Sequence, residues 1–420
     1  MYRRSLHKHA ASHRFEANRP REYCLMLPLE GVRILAVEHY AAGPYGTLQL
    51  ANLGAEVIKI ENRAHQGDPI RQMGPGGDLG ELDSLSFQAF NRNKRSLTLD
   101  LKTDKGKEIL GKLVSTADAL LCNLRGDQPE KLGLTYHQLK GNNLKIVCGF
   151  ISAYGRDGPR RDWPGFDYLM QAETGYLYMS GEPDAPPARM GLALIDHLSG
   201  LTTSLALVSS IMKARETGVG RDVDVALFDV AAHQLNYVGA WYLNEGIETT
   251  RSPRSAHPSV TPSQLFKTSD GWLFVMAQSD RFWEIFCDRI GAKELAVKES
   301  FRTGQARREN RDLLTEMLDT FLTKQTTAHW MDTLGGNVPC APVYGIAKAL
   351  QNPFLLNRDG IVTTEHPNRP GLRNLQSPVR MSDPIPNQPG PTLGADTKDI
   401  LRELGYDAAT IENLRRSGVT

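Results

Sequence analysis

Residues 32–60, with the sequence VRILAVEHYAAGPYGTLQLANLGAEVIKI, contain the signals that decide the fold. Residues 32–37 and 55–60 are apolar runs typical of buried strands, and residues 46–52 between them are predicted to form a helix. Residues 42–44, Ala-Gly-Pro, are predicted to form the turn before this helix. A strand–helix–strand unit of this length implies a parallel sheet with a right-handed crossover.

The alternation of strands and helices continues beyond this unit. Strands are predicted at residues 96–101, 119–122, 144–150 and 222–226, with helices at 104–115 and 191–215. Residues 263–266 and 272–277 flank Ser269-Asp270-Gly271, which favours a hairpin in a second, smaller α+β unit. The sequence therefore predicts an α/β protein with a large parallel-sheet domain and a smaller domain.

The overall composition excludes several classes of protein. The chain has 420 residues, of which 40% are hydrophobic and 23% charged, and its net charge is +1. These values are ordinary for a globular protein and too balanced for a dedicated nucleic-acid-binding protein. Asp196 and His197 interrupt the longest apolar candidate, residues 192–212, so no membrane-spanning helix is supported. We therefore expect neither nucleic acid nor a membrane among the partners.

Residues 1–26 differ from the rest of the chain in charge. They contain six Arg and Lys residues against Glu16 and Glu22, which gives this tail a net charge of +4. A secretory signal would need an apolar segment that the tail lacks, and a mitochondrial transit peptide is only half matched. We interpret the tail as a disordered or spurious extension and expect a cytoplasmic protein. A transit peptide would instead place the protein in the mitochondrial matrix.

The five cysteines are widely spaced: Cys24, Cys122, Cys148, Cys287 and Cys340. No pair has the spacing of a zinc or redox motif, and no His-Glu-x-x-His sequence occurs, so no metal site is predicted. The scattered odd number is typical of a reducing compartment, where thiols act as small hydrophobic groups.

The first strand–helix–strand unit invites a dinucleotide-binding interpretation, which its turn does not support. Glu61 lies after the second strand, where a ribose-binding acid would lie. However, residues 39–44 lack the Gly-x-Gly-x-x-Gly pattern, and Pro44 removes a backbone N–H that could hold a phosphate. A P-loop sequence is also absent, so ATP is not implied.

Two polar sets flank predicted strands. The basic residues 92–95, Arg-Asn-Lys-Arg, precede the strand at 96–101 and Lys102 follows it, whereas Asn123-Leu124-Arg125 follows the strand at 119–122. The basic cluster alone is typical of a solvated edge, and phosphate binding is the functional alternative. Because the carboxyl ends of strands line the ligand crevice of open α/β sheets, the two sets together favour a bound polyanion.

Two acids have unusual sequence surroundings. Asp167 follows the Gly- and Pro-rich residues 155–164, and Asp196 has almost entirely apolar neighbours within residues 191–200. Burying a carboxylate is costly unless it is paired or used. Asp196 is therefore either a capping or salt-bridged helix residue or a functional carboxylate, and a desolvated carboxylate can act as a nucleophile.

Several segments resemble the family III CoA-transferases, the group of the formyl-CoA, carnitine and bile-acid CoA-transferases. The matching segments are 29–35 (LEGVRIL), 42–44 (AGP), 53–61 (LGAEVIKIE), 91–97 (NRNKRSL), 132–134 (LGL), 154–159 (YGRDGP), 165–167 (GFD), 218–221 (GVGR) and 338–343 (VPCAPV). Each motif alone is weak. Together they follow one another in order across residues 29–420, and the ordered set is specific.

The resemblance implies a Rossmann-like large domain built from both ends of the chain, a smaller inserted α+β domain, and an interlocked homodimer. The corresponding divisions are the extension (1–26), the N-terminal part of the large domain (27–227), a linker (228–252), the small domain (253–325), a second linker (326–352) and the C-terminal part of the large domain (353–420).

The resemblance also implies roles for individual residues. Asp196 matches the catalytic aspartate of the family, and Asp167 matches a second active-site acid. The CoA-binding positions fall on Ala41, Ala42, Asn62, Leu99, Lys102, Asn123, Leu124, Arg125 and Lys131. Ala41 replaces an active-site glutamine, Asn62 replaces an adenine-side arginine, and residues 251–262 replace a glycine-rich loop. These departures disfavour formate or oxalate as the acceptor.

The implied reaction moves CoA from an acyl-CoA, such as succinyl-CoA, to a carboxylic acid, such as a dicarboxylate. It proceeds through an aspartyl anhydride and an aspartyl–CoA thioester on Asp196. CoA and its thioesters are substrates, and no permanently bound cofactor is expected. Arg251, Arg254 and His257 are candidates for contact with a distal carboxylate, with a solvated loop as the alternative.

Two other functions stay open on the sequence alone. α-Methylacyl-CoA racemases share the fold that the resemblance implies, but they carry a His before the acid that matches Asp167, where this chain has Phe166. One base cannot readily serve both faces of a carbon. The other alternative is an acyl-CoA-binding relative without turnover, against which the retention of Asp196 argues.

Overall fold

The computed structural model describes residues 27–75 and 77–420, and the parallel sheet of these residues, the main sheet, has six strands. They are β1 (Arg33–Val37), β2 (Glu56–Glu61), β3 (Lys94–Thr98), β4 (Ala119–Cys122), β5 (Val147–Ser152) and β6 (Arg221–Ala226). Their order is β3-β2-β1-β4-β5-β6, and every neighbouring pair is parallel. The predicted α/β class is confirmed, and the strand order is that of a Rossmann sheet. The prediction for residues 1–26 lies outside the described residues.

Helices connect these strands and cover the sheet. They are α1 (Ala42–Asn52), α2 (Leu85–Asn91), α3 (Asp104–Ser115), α4 (Gln128–Leu132), α5 (Tyr136–Leu139), α6 (Asp167–Glu173), α7 (Tyr176–Met179), α8 (Leu194–Thr217), α9 (Leu227–Gln234) and α10 (Asn236–Glu245). The turn predicted at residues 42–44 is wrong, because these residues form the first turn of α1. A proline is tolerated there, since first-turn N–H groups have no intrahelical acceptor.

A second, antiparallel sheet follows in the chain. It contains β7 (Ser263–Lys267), β8 (Trp272–Met276) and β9 (Cys340–Pro342). Its helices are α11 (Asp280–Arg289), α12 (Lys293–Val297), α13 (Gly304–Glu309), α14 (Arg311–Leu322) and α15 (Thr327–Leu334). Phe266, Leu273 and Trp283 are fully buried between this sheet and its helices. The hairpin predicted around Asp270 is confirmed, whereas the division of the chain into domains stays a prediction.

The last part of the chain returns to the main sheet. It contains α16 (Ile346–Leu350), α17 (Pro353–Leu356), the hairpin β10 (Ile361–His366) and β11 (Arg369–Leu375), then α18 (Thr397–Glu403) and α19 (Ala408–Arg416). Leu401 of α18 and Leu414 of α19 share one apolar core with Leu35 and Leu120 of the main sheet. The opposite face of the sheet packs on α8 at Leu207. The sheet is therefore covered on both faces, as parallel sheets require.

Helix α8 is in backbone contact with α1. A Cβ atom on Gly46 would lie 2.7 Å from the carbonyl oxygen of Gly200, and one on Gly200 would lie 2.5 Å from that of Ala42. Only glycines allow this approach, which brings the N-terminal halves of the two helices together. By length and composition alone, α8 is the one helix of the described residues that could cross a membrane, and its inner face is part of the core.

Candidate active site

Two adjoining cavities lie at the carboxyl ends of β1 and β4, where the strand order reverses. The Asp196 cavity has a volume of about 210 Å³ and includes Asp196, Trp163 and Phe166 in its lining. The Lys102 cavity has a volume of about 350 Å³ and includes Lys102 in its lining. His39, Leu124 and Arg125 line both cavities. A crevice at such a switch point is the usual ligand site of an open α/β sheet.

The structure brings most of the sequence-predicted site residues to these two cavities. Ala41, Ala42, Asn123 and Asp196 line the Asp196 cavity, Asn62, Leu99 and Lys102 line the Lys102 cavity, and Leu124 and Arg125 line both. Asp167 and Lys131 line neither cavity. Their roles, like those of the other residues, stay predictions.

Asp196 lies in the first turn of α8 and faces the cavity named after it. Burial, and secondly the charge of Asp167, raise the pKa of Asp196 to about 7. The helix N-terminus favours the carboxylate, and burial opposes it. Near neutral pH this side chain is therefore available both as an acid and as a nucleophilic carboxylate.

Asp167 holds the turn that carries Asp196. It is buried at the start of α6, and its Oδ2 accepts the N–H groups of Ile195 at 2.5 Å and Asp196 at 3.0 Å. Its Oδ1 accepts a hydrogen bond from Gln171 at 2.6 Å. Because Ala193 provides no side-chain cap, Asp167 satisfies first-turn donors of α8 from a neighbouring helix. This geometry favours a positioning role over contact with substrate.

Asn123 clamps the backbone of the loop after β1. Its Oδ1 accepts the N–H of His39 at 2.7 Å, and its Nδ2 donates to the carbonyl of His39 at 2.8 Å. A Cβ on Gly43 would lie 2.9 Å from the Asn123 side chain, so α1 starts in close contact with this amide. Asn123 directly follows the last paired residues of the two strands, Val37 and Cys122, so the clamp lies at the carboxyl end of this strand pair.

Arg125 and Lys131 share one carboxylate near the Lys102 cavity. Lys131 Nζ lies 2.5 Å from Asp127 Oδ2, and Arg125 Nε lies 3.4 Å from Asp127 Oδ1. Both cations are largely exposed, so these ion pairs contribute little stability and yield readily to a phosphate. Lys131 belongs to α4, whose Gln128 and Leu132 line the Lys102 cavity.

The basic cluster at residues 92–95 has a structural role. Lys94 is buried, and its Nζ lies 2.7 Å from Glu38 Oε1. Arg95 pairs with Glu56 at 2.5 Å and with Glu403 at 2.8 Å. Lys94 and Arg95 are therefore engaged in ion pairs of the fold, and together with Asn93 they line a third cavity of about 480 Å³, apart from the Asp196 and Lys102 cavities. Of the basic residues at 92–95 and Lys102, only Lys102 lines one of these two cavities.

Glu61, the acid whose position suggests a dinucleotide site, is likewise engaged in contacts within the fold. Glu61 is buried against Arg71, whose Nη2 lies 2.7 Å from Glu61 Oε2, and Ser96 donates to the same oxygen at 2.8 Å. Burial raises the pKa of Glu61, but the hydrogen bonds and charge of Arg71 dominate and lower it to about 2. Glu61 therefore has no free oxygen pair for a ribose.

The loop that replaces the glycine-rich segment lies apart from both cavities. Arg254 forms a two-bond ion pair with Asp319, at 2.8 and 2.6 Å. Arg251 donates to the carbonyl of Glu182, and His257 stacks on Tyr237. None of the three candidates for a distal carboxylate lines the Asp196 cavity or the Lys102 cavity. The structure therefore does not bring them to the site.

Sequence reasoning missed His39, Trp163 and Phe166 as site residues. His39 lines both cavities, and burial lowers the pKa of its imidazole, so it is neutral at pH 7. Phe166 packs edge-on against Tyr40, with ring centroids 5.7 Å apart. The position of His39 two residues after the end of β1 is the available signal, since strand ends line such crevices.

The described cysteines behave as predicted. Cys122, Cys148 and Cys287 are buried free thiols, and Cys340 is half-buried. Burial raises the pKa of Cys122 and of Cys287 to about 12, so neither is a thiolate at neutral pH. In the described ranges, no group of three His, Cys, Asp or Glu side chains is placed to hold a metal ion. Cys24 lies outside those ranges.

The fold and the crevice together define an α/β protein built to take a nucleotide-like ligand at the switch point of a Rossmann-order sheet. The model of the family described as CoA-transferase family III matches residues 29–397. The chain belongs to this family, as its sequence motifs indicated. It is a CoA-transferase, with CoA thioesters and carboxylic acids as substrates.

Named relatives extend over nearly the whole chain. The succinyl-CoA:glutarate CoA-transferase of Mus musculus is 32% identical over 409 residues, which cover 96% of this chain and 92% of the relative. The succinate–glutarate CoA-transferase of Agrobacterium fabrum is 31% identical over 384 residues, 90% of this chain and 96% of the relative. A CAIB/BAIF family protein from Brucella suis has a crystal structure with a TM-score of 0.79 and 31% identity, covering 90% of this chain and 100% of that chain.

Proposed function

We propose that this enzyme transfers CoA between succinyl-CoA and a dicarboxylic acid, with Asp196 as the covalent carrier. The observation that carries the proposal is a carboxylate in the first turn of a helix, desolvated and open to the switch-point crevice. The similarity to succinate–glutarate CoA-transferases supports the choice of dicarboxylates.

The covalent steps balance without ATP or a metal-bound group. An Asp196 oxygen attacks the carbonyl carbon of the donor thioester, the C–S bond breaks, and CoA leaves as the thiolate. The thiolate then attacks the Asp196 carbonyl of the anhydride, forming an aspartyl–CoA thioester and releasing the donor acid. The acceptor carboxylate attacks this thioester, whose C–S bond breaks to give a second anhydride and to free the CoA thiolate. The thiolate then attacks the acceptor carbonyl of that anhydride, the C–O bond to Asp196 breaks, and the acceptor leaves as its CoA thioester with the Asp196 carboxylate restored.

The surroundings of Asp196 supply the other requirements. The first-turn N–H groups of α1, at Ala42 and Gly43, have no intrahelical acceptor and no side-chain cap from Ala41, so they are the candidates to stabilise an oxyanion in the Asp196 cavity. Asp167 holds the α8 turn by its hydrogen bonds. Lys102, Arg125 and Lys131 are the cations available for the phosphates of CoA.

Water must be kept from an anhydride, and a second subunit is the proposed cover. One face of α8 exposes Leu201, Leu205 and Met212, at 43%, 71% and 69% of their surface, and α10 exposes Leu243 at 82%. Contiguous apolar faces of this kind mark interaction surfaces. The proposed assembly is a homodimer, which sedimentation equilibrium would test by a mass twice that of the chain.

The test is transfer from succinyl-CoA to a panel of mono- and dicarboxylic acids, read by mass spectrometry, with Asp196→Ala beside the wild type. Asp312→Asn is the matched control, because Asp312 also lies in the first turn of a helix, α14, but is itself exposed. We expect transfer to a dicarboxylate that Asp196→Ala abolishes and Asp312→Asn preserves. Hydroxylamine added after the donor should label Asp196, and transfer by Asp196→Ala near the wild-type rate would refute the mechanism.

A further inference from the structure

Buried and half-buried side chains hold the loop between β1 and α1 at four successive backbone groups. This segment, the 38–40 loop, consists of Glu38, His39 and Tyr40. The Glu38 carbonyl accepts from Lys59 Nζ at 3.0 Å, and both backbone groups of His39 are bound by Asn123. The N–H of Tyr40 donates to Asp68 Oδ1 at 3.0 Å. Loop backbone groups usually face water, so this loop is built to keep one conformation.

The anchoring of the 38–40 loop maintains an unusual backbone conformation at Tyr40. Its φ is 60°, in the left-handed region that a residue with a Cβ rarely adopts. Such strain persists where the surroundings over-determine the backbone. Ala41 and Ala42 follow directly and line the Asp196 cavity. The conformation of Tyr40 therefore sets where the first turn of α1 presents its N–H groups.

Asp68 is fixed in turn by the charge of Lys59. Lys59 Nζ lies 2.9 Å from Asp68 Oδ2, and both side chains are fully buried. Burial opposes the charge of Lys59, but Asp68 and Glu38 raise its pKa, so the ammonium persists. Lys94 neutralises Glu38 at 2.7 Å. Buried ion pairs add little net stability over apolar packing, so a pair kept in this place indicates a requirement for geometry.

We propose that Lys59 and Asp68 are positioning residues of the transfer reaction, acting through the 38–40 loop on the α1 turn that faces Asp196. The proposal rests on the assignment of the Asp196 cavity as the active site. Neither side chain lines either cavity, so neither touches the substrate. Loss of the anchor misplaces donors needed in the transition state, whereas Lys102 and Arg125, the cations that line the Lys102 cavity, lie outside the 38–40 loop. It therefore lowers kcat more than it changes KM.

A matched pair of double variants isolates the anchor: Lys59→Met/Asp68→Asn and Lys59→Met/Asp68→Ala. Both remove the two charges together, so no unpaired charge is buried. They differ in one acceptor, because Asp68→Asn retains an Oδ1 for the N–H groups of Tyr40 and Ile70 whereas Asp68→Ala has none. If the alanine variant does not fold, Asp68→Ser takes its place, since serine keeps the cap at Ile70 with a shorter reach.

Steady-state kinetics with succinyl-CoA should show kcat of the alanine pair about tenfold or more below that of the asparagine pair, with KM for the thioester changed less than about threefold. Leu318→Ala, in the core of the second sheet, is the stability control and should lower Tm without lowering kcat. Equal kcat values in the two pairs, a difference confined to KM, or a parallel loss in Leu318→Ala would overturn the proposal. Asp196→Ala is measured beside them, because transfer retained there refutes the active site itself.

Discussion

Glu61 is buried and Asp196 is half-buried, and both carboxylates lie at the carboxyl-end edge of the main sheet, yet their pKa values move in opposite directions. Glu61 accepts from Arg71 and Ser96, which lower its pKa to about 2. Burial and Asp167 raise the pKa of Asp196 to about 7, and among the described residues no cation opposes them. Burial alone therefore does not define a carboxylate's role. The compensated one stabilises the fold, and the uncompensated one is the candidate for chemistry.

The largest expected effect comes from removing the compensation at Glu61. Arg71→Met would leave Glu61 buried without its partner, and we expect a loss of about 3–5 kcal/mol in the free energy of unfolding at pH 7. Urea denaturation followed by circular dichroism measures it. Arg71→Met/Glu61→Leu is the control and should recover most of the loss. If Arg71→Met were as stable as the wild type, the contrast drawn between Glu61 and Asp196 would be wrong.

Removing the carboxylate of Asp196, which no cation of the described residues compensates, should raise the free energy of unfolding instead of lowering it. The folded protein holds the proton of Asp196 up to about pH 7, whereas the unfolded chain releases it near 3.8. The wild type therefore loses stability as the pH rises between these values, by up to about 4 kcal/mol. We expect Asp196→Asn to be more stable than the wild type at pH 8, with the advantage fading towards pH 4. Urea midpoints at the two pH values test this, with Asp312→Asn showing no such trend.

The pH dependence of activity sharpens the same contrast. Only the ionised Asp196 attacks a thioester, so kcat/KM should rise about tenfold per pH unit below 7 and level off above it. Initial rates with succinyl-CoA from pH 5.5 to 8.5 give the profile, within the range where the protein stays folded by circular dichroism. A flat profile would show that Asp196 titrates at the ordinary value of an exposed aspartate or takes no part.

The smallest effect is expected from removing the charge of Asp167, which is the second cause of the raised pKa of Asp196. Asp167→Asn removes a neighbouring negative charge but keeps an oxygen for the N–H groups of Ile195 and Asp196. The midpoint of the pH–rate profile should move to lower pH, by less than the shift that burial causes. Asp167→Ala is the contrasting variant, which should lower kcat because the α8 turn loses its acceptor. An upward shift in Asp167→Asn would contradict the electrostatic role.

The sequence predicted the local elements well where local signals agree. Helix α3 matches residue for residue, because Thr103 caps it and its apolar face repeats with helical spacing. The start of α1 was misplaced by four residues, since Ala42-Gly43-Pro44 reads equally as a turn or as a helix N-terminus. The hairpin β10–β11 was missed, because Pro370 and Gly371 are unusual in strands.

A site residue could be predicted from the sequence only where its neighbours in the sequence indicate its environment in the fold. The apolar neighbours of Asp196 indicated that its carboxylate is desolvated. By contrast, nothing near Lys94 in the sequence shows that Glu38, 56 residues away, neutralises it. The anchor of Tyr40 on Asp68 likewise spans 28 residues. Pairing across such distances is a product of the fold, so the basic cluster looked like a binding surface.

The glycine contact between α1 and α8 limits how this enzyme can be re-engineered. Gly46 and Gly200 leave no room for a methyl group, so the turns bearing Ala42 and Asp196 behave as one rigid block. Trp163 and Phe166 also line the Asp196 cavity, and Trp163 is the better position to vary because Phe166 packs on Tyr40. A library that starts at Trp163 is the economical way to alter selectivity.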